Sequence, residues 1–362
     1  MKKIALSLIA ALLAAVLAGC AGTTVVVGNC TCPTGAPTAA TEAPAETPAP
    51  TEAPAAADGA VRTGLAMITD LTDCTNASAE GDGQVKFDVD FAAVTLDENG
   101  VIVSCLIDSL GAAVTFNTTG AITSDVTAEV KTKNELGEAY GMKAAGSAYE
   151  WNEQAAAVAQ YAVGKTVEEL KTMAVDETGH ADDADLATTA SIYIGGYIAA
   201  IEKAAANAQD LGASAGDTLK LAIIPSLKNT AAPTDEKAGT AQLDCDVAAV
   251  TVSGGTITSC LIDSLQAKVG FDAAGTVTSD VTAGAQTKNE LGEAYGMKAN
   301  AGSAYEWNEQ AANFSAYATG KAAAEVAGIA VDEKTAPTDA DLAAGVTIAI
   351  GGFQALIAKA LG

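Results

Sequence analysis

The sequence predicts an α+β fold built twice: two tandem homologous domains, each a small antiparallel sheet followed by about three helices. Long stretches of text recur at a nearly fixed offset. "TKNELGEAYGMK" stands at Thr132–Lys143 and again at Thr287–Lys298, and "GSAYEWNEQAA" at Gly146–Ala156 and Gly302–Ala312. "CLIDSL" occurs at Cys105–Leu110 and Cys260–Leu265. Within each copy a period-two apolar pattern comes first and helical spacing follows, the order of an antiparallel sheet with its helices after it. Two copies of about 145 residues are domains, since a solenoid needs more and shorter repeats.

The strands open each copy. Phe87, Val89, Phe91, Ala93 and Thr95 alternate with Lys86, Asp88 and Asp90, and after a turn Val101, Val103, Cys105 and Ile107 continue an apolar face. A three-residue loop, Glu98-Asn99-Gly100, pairs odd positions with odd and keeps one face apolar, with Gly100 left-handed. In that register Asp90 lies opposite Asp108, and Asp88, Asp90 and Asp108 share a polar face, a patch read as solvated rather than as a Ca²⁺ site. The second copy would use Ser253-Gly254-Gly255, setting Cys260 opposite Ala248 and Cys245 opposite Asp263. The two cysteines then lie on different faces, so no disulfide joins them. An offset of 155 places Leu243 and Cys245 where the first copy has Asp88 and Asp90. Further hairpins are expected at "NTTG" (Asn117–Gly120) and "DAAG" (Asp272–Gly275).

The helices follow. Thr132 with Glu135 is a capping box, and Gly141 ends the same short helix. Ser147 with Glu150 reads as a second box, opening a helix that runs to Gly164. Its apolar stripe is Trp151, Ala155, Val158 and Ala162, matched by Trp307, Ala311, Phe314 and Ala318. Caps and stripe leave a polar remainder that both copies keep. From it Lys133, Glu138, Tyr140, Lys143, Tyr149 and Glu153 are the candidate ligand-binding residues, with Lys288, Glu293, Tyr295, Lys298, Tyr305 and Glu309 as their counterparts.

Composition excludes some partners. The formal net charge is −26, and removing a leader that carries Lys2 and Lys3 lowers it to −28. Such a chain repels phosphate backbones, so nucleic acid is excluded as a partner. Catalytic groups are scarce. The single histidine, His180, lies in an acidic loop and has no counterpart, and no Ser/His, Cys/His or phosphate-cradling pattern is present. The expectation is a non-catalytic domain with no metal.

The N-terminus resembles that of bacterial lipoproteins. A basic start (Met1-Lys2-Lys3), an apolar run from Ile4 to Leu17 and "LAGC" at Leu17–Cys20 form a signal peptide over 1–19, and the resemblance implies that Cys20 is acylated and becomes the mature N-terminus. Residues 20–62 are a Pro/Ala/Thr/Glu-rich tether expected to be disordered. Its Cys30 and Cys32 lack the partners of a zinc site. The first repeat is placed at 63–208, a linker at 209–216 and the second repeat at 217–362. The chain is thus expected at the cell membrane, lipid-anchored on the extracytoplasmic face, with a small molecule or a surface protein as partner.

The ends of the copies carry a second resemblance. "DADLATTASIYIGGYIAAIEKA" (Asp183–Ala204) and "DADLAAGVTIAIGGFQALIAKA" (Asp339–Ala360), with the hairpin "VTLDENGVIVSCLID" (Val94–Asp108), look like parts of extracytoplasmic FMN-binding domains. In that family an Asp precedes Ser-Gly-Ala-Thr-x-Thr/Ser, whose last hydroxyl carries the flavin. Here Thr188-Thr189-Ala190-Ser191 and Ala344-Gly345-Val346-Thr347 occupy those places, and the acceptor falls on Tyr193 and Ala349. The resemblance therefore implies no covalent flavin, and leaves a redox carrier with non-covalent FMN as the alternative to a binding protein.

Overall fold

The computed structural model describes residues 59–173 and 175–362. The signal segment, Cys20, Cys30, Cys32 and the Pro-rich tether lie outside the described residues. Strands β1 (Arg62–Asp70), β2 (Gly83–Leu96) and β3 (Ile102–Phe116) form one antiparallel sheet in that order. Strands β4 (Thr218–Ser226), β5 (Gly239–Ser253) and β6 (Thr256–Phe271) form a second. Pro225 sits on β4, an edge strand, where a missing N–H costs the ladder least. Each sheet is followed by its helices, so the mixed α+β class and the doubling are as the sequence implies.

The first turn forms as expected, with Gly100 left-handed (φ 79°) and the Asp97 N–H donating to the Val101 carbonyl at 3.0 Å. A bulge at Thr95/Leu96 then moves the register by one residue. Beyond it Asp90 pairs with Ser109, and Asp108 with Phe91. The proposed facing of Asp90 and Asp108 is therefore incorrect, because a one-residue slip sends every later side chain to the other face. Cys105 and Ile107 join Ala92 and Val94 under the helices, while Phe87, Val89, Phe91 and Ala93 face the opposite way. The acidic patch loses Asp108, which is buried, while Asp88 and Asp90 stay on one face of β2, with Asp88 paired to Lys86 at 2.8 Å. Among the described residues no group of three or more His, Cys, Asp and Glu is placed to hold a metal ion.

The second turn is one residue shorter than expected, with Ser253 pairing Thr256 across Gly254-Gly255, and a bulge at Thr251/Val252 follows. Cys260 pairs with Val250 and Cys245 with Leu265, not with Ala248 and Asp263. The two cysteines still face opposite ways, and with Cys74 and Cys105 they are free thiols. The shorter turn also corrects the alignment of the copies. Ahead of it the offset is 156, so Asp88 and Asp90 correspond to Asp244 and Asp246 rather than to Leu243 and Cys245. The turns at Asn117 and Asp272 form, but each returns through a single bridge, Phe116 to Ile122 and Phe271 to Val277, not through a full strand.

The helices of the first copy are α1 (Lys133–Leu136), α2 (Trp151–Ala162), α3 (Val167–Lys171), α4 (Ala184–Ala187) and α5 (Gly195–Ala206), with a 3₁₀ turn at Gly137–Tyr140. Those of the second are α6 (Lys288–Leu291), α7 (Met297–Ala301), α8 (Trp307–Ala318), α9 (Ala323–Ala327), α10 (Ala340–Ala343) and α11 (Gly351–Leu361). The Thr132–Glu135 box and left-handed Gly141 are present, and both predicted stripes are buried. The Ser147–Glu150 box is not formed. The helix begins at Trp151, and the buried Glu150 carboxylate instead accepts the Met142 and Lys143 N–H groups at 2.8 and 3.1 Å.

The sheets meet through a shared core. Phe87, Phe91 and Leu110 of one copy pack with Leu243, Val247 and Leu265 of the other, and Phe116 stacks on Phe271 at 4.3 Å between ring centroids. The layers are thus helices, sheet, sheet, helices. Reciprocal ion pairs lock the halves: Lys203 of α5 reaches Glu290 of the second capping box, and Lys359 of α11 reaches Glu135 of the first. The stretch placed as a linker runs beside β1, with the Val61 N–H donating to the Ala213 carbonyl at 2.9 Å and the Thr63 N–H to that of Gln209 at 2.8 Å.

Candidate functional site

Most of the repeated block has a structural task. In "TKNE", Thr132 caps α1, Asn134 donates its side-chain amide to the Ile107 carbonyl at 2.9 Å, and Glu135 both completes the cap and receives Lys359. Gln154, fully buried, donates to the Tyr149 carbonyl at 3.0 Å and accepts from the Ser191 N–H at 2.7 Å, tying the block to the segment before α5. Gln310 repeats this with Tyr305 and Thr347. Lys143 and Glu153 are spent on each other at 2.7 Å, as are Lys298 and Glu309. Such half-exposed pairs contribute little to stability. Glu138, Glu293 and the Tyr149 side chain are surface groups, and Tyr305 is half-buried.

The six candidates of the first copy therefore do not meet in one place. Two of them do. The Lys133 ammonium lies 5.4 Å from the Tyr140 ring centre and 5.1 Å from that of Trp151, a cation held over two aromatic rings. The second copy repeats the wedge with Lys288, Tyr295 and Trp307. Lys133, Tyr140 and Trp151 line a groove of about 930 Å³ in the first repeat. His180, Ser191, Tyr193 and Tyr197 line it as well, Tyr197 edge-on to Trp151 at 5.8 Å between ring centres, and the middle of β2 adds Asp88 and Asp90.

The last helix shapes this groove. A methyl group on Gly196 would lie 2.4 Å from an Asp90 carboxylate oxygen, so the "IGG" at the start of α5 lets that carboxylate approach the helix end. Gly352 stands in the same relation to Asp246. Burial raises the Asp90 carboxyl above its usual range, against a bond from Ser109 and the Lys133 charge, both of which lower it. Burial first and the Asp90 charge second push the Tyr197 hydroxyl well up, and it stays a neutral acceptor for the Trp151 indole N–H at 3.1 Å. Lys86 is also raised, chiefly by its bond to Asp88 and then by that to Asp73. The groove therefore presents aromatic faces, one cation free of ion pairs among the described residues (Lys133), and a surplus of carboxylates from Asp70, Asp73, Asp88 and Asp90.

The copies diverge at this site. Tyr193, Tyr197 and His180 correspond to Ala349, Phe353 and Ala336. A search for shared text passes over all three. Tyr193 stands out only in the structure, as a large aromatic 57% exposed between the buried Ile192 and Ile194.

The chain matches no protein-family model, and no curated protein or solved structure is significantly similar to it.

Proposed function

We propose that the protein is a lipid-anchored, extracytoplasmic, non-catalytic binding protein, and that the groove of the first repeat takes a planar, cationic organic ligand. The observation that carries this reading is the meeting of Lys133, Tyr140 and Trp151 with Tyr193 and Tyr197 over an acidic floor. Rings supply flat apolar faces and cation–π attraction, and the carboxylates favour positive charge. Trp151 gives a direct readout. Titrating the full chain with an N-alkylated quinolinium salt should change its tryptophan emission. Tyr193→Ala, which installs the residue of the second copy at an exposed position, should weaken binding about tenfold. Unchanged emission at millimolar probe would sink the proposal.

The second reading, a carrier of non-covalent FMN, is favoured by one observation: the groove lies against Ser191–Tyr193, ahead of the last helix, where the resemblance to FMN-binding domains would put the flavin. The carboxylates on its floor oppose a phosphate. Added FMN that stays with the protein through gel filtration, absorbing near ~450 nm, would replace the first reading with this one.

The anchor is tested apart from the ligand. Cys20→Ala should release the protein from the membrane fraction, because the leader apart from its acylated cysteine offers no stable hold. Retention of the variant would refute lipidation at Cys20.

A further inference from the structure

Lys133 stands in the groove where a ligand's positive charge would find its best place. Its ammonium lies 5.4 Å from the centre of the Tyr140 ring and 5.1 Å from that of Trp151. Trp151 lines the groove and yet is only 2% exposed, whereas Tyr140 is 41% exposed. The aromatic corner is therefore covered, and the lysine side chain over the indole is part of the cover.

The rings alone hold that side chain. Lys165 and Lys321 also lie over tyrosines, 3.7 Å from the Tyr161 ring centre and 3.9 Å from that of Tyr317, but each donates to the carbonyl of that same tyrosine at 2.7 Å. The Lys133 ammonium makes no such bond and no ion pair among the described residues. Its contribution to α1 is a backbone one, its carbonyl accepting the Gly137 N–H, so the side chain can swing out and leave the helix intact. A primary ammonium is compact and strongly hydrated, and it leaves aromatic faces for water readily. A quaternary nitrogen is poorly hydrated and gives up less on entering the same corner.

Asp90 makes the exchange one of cation for cation. Burial is the largest influence on its carboxyl and raises it, while a bond from Ser109 and then the Lys133 charge pull it back. An uncharged guest in place of Lys133 would take that charge away from a largely buried carboxylate, and a cationic guest supplies it again.

We infer, on the reading of the groove as a cation site, that Lys133 is its built-in competitor: the ammonium holds the corner between Tyr140 and Trp151, and a ligand binds by putting a quaternary, N-alkylated nitrogen in its place. Affinity is then reduced by the fraction of time the lysine keeps the corner shut, and removing its charge restores that fraction.

Titration of the full chain with N-methylquinolinium, read from the midpoint of the change in tryptophan emission, tests this. Lys133→Met keeps an apolar stem, drops the charge and should bind the probe about tenfold more tightly than the parent. Lys133→Gln should gain as well, which guards against a packing effect of the methionine. Lys133→Arg keeps a cation over the rings and should gain nothing. Lys288→Met makes the same change in the second copy, where Phe353 and Ala349 replace Tyr197 and Tyr193, and should stay within about twofold of the parent because a remote charge is screened. Affinity in both uncharged variants at or below the parent's, or a gain of equal size in Lys133→Arg or Lys288→Met, would overturn the role of Lys133 and leave the groove reading standing. No response from the parent or from either uncharged variant would remove both.

Discussion

Cut in the stretch between α5 and β4, the chain should give two fragments, neither of which folds as a monomer. The core between the sheets draws twelve buried residues from each copy, so neither copy owns it. A separated half would keep its helix-side core, built on Trp151 or Trp307, but would expose one whole face of its sheet. Exposing a single buried Leu, Val or Phe costs about 1.5–3 kcal/mol, and several such side chains exceed the roughly 5–15 kcal/mol that holds a domain folded. The ion pairs Lys203–Glu290 and Lys359–Glu135 would also lose one partner each. Each fragment alone should lack a cooperative melt and run as an aggregate, and an equimolar mixture should recover a 1:1 complex on gel filtration. Within the intact chain, Phe91→Ala removes a fully buried ring from this interface and should cost about 3–5 kcal/mol in denaturant unfolding. A folded monomer of either half would sink the shared-core account.

That shared core shows where sequence reading stops. The first helix cap and both stripes were legible because they depend on neighbours three or four residues away, and Thr132, Gly141 and the two tryptophan stripes stand where their spacing placed them, whereas the cap read at Ser147 failed because Glu150 turns to the Met142 and Lys143 N–H groups. The registers were not legible past the turns. A bulge at Thr95 or Thr251 is one extra residue with no marker of its own, yet it decides which face of each sheet Asp90, Cys105 and Asp108 occupy. Both faces of β2 and β3 carry apolar residues, a pattern expected of a sheet covered on both sides. Its covering by a second sheet is a long-range fact that no local period encodes.

The candidate site was half legible for a related reason. Identity between copies marked Lys133 and Tyr140, which line the groove, but it marked Lys143, Glu153 and Gln154 just as strongly, and those three serve the fold. Text kept twice reports what both copies need, which is mostly the tie between block, sheet edge and opposite repeat. What sets the groove of the first copy apart lies in the differences, Tyr193 against Ala349 and His180 against Ala336. The twelve letters at Thr132 are therefore chiefly a joint between the two halves, with one lysine and one tyrosine turned toward a groove.

At the same joint, the contribution of Asp263 to stability should fall as the pH rises through the mildly acidic range. Asp263 is buried at the repeat junction, and burial is the largest influence on it, pushing its carboxyl from 3.8 to about 6. Bonds from the Thr287 hydroxyl and the Asn289 and Ser264 N–H groups pull it back in part, and the nearby Glu290 charge adds to the rise. A carboxyl raised in the native state binds its proton more tightly folded than unfolded. Below about pH 4 both states are protonated and the group is neutral in its effect. Between about 4 and 6 the native state holds the extra proton, so stability declines as pH rises, and above about 6 the full penalty of a buried carboxylate is present. Asp263→Asn keeps an oxygen to accept from Ser264 and Asn289 and removes the charge. The difference in unfolding free energy between variant and parent should therefore shift in favour of the variant by roughly 1–3 kcal/mol between about pH 4 and pH 7.5. Asp108, equally buried and also raised, should give the same sign in Asp108→Asn. Urea midpoints taken across that range decide the matter, and variant and parent curves that run parallel would show that the buried carboxyl is not strained by its site.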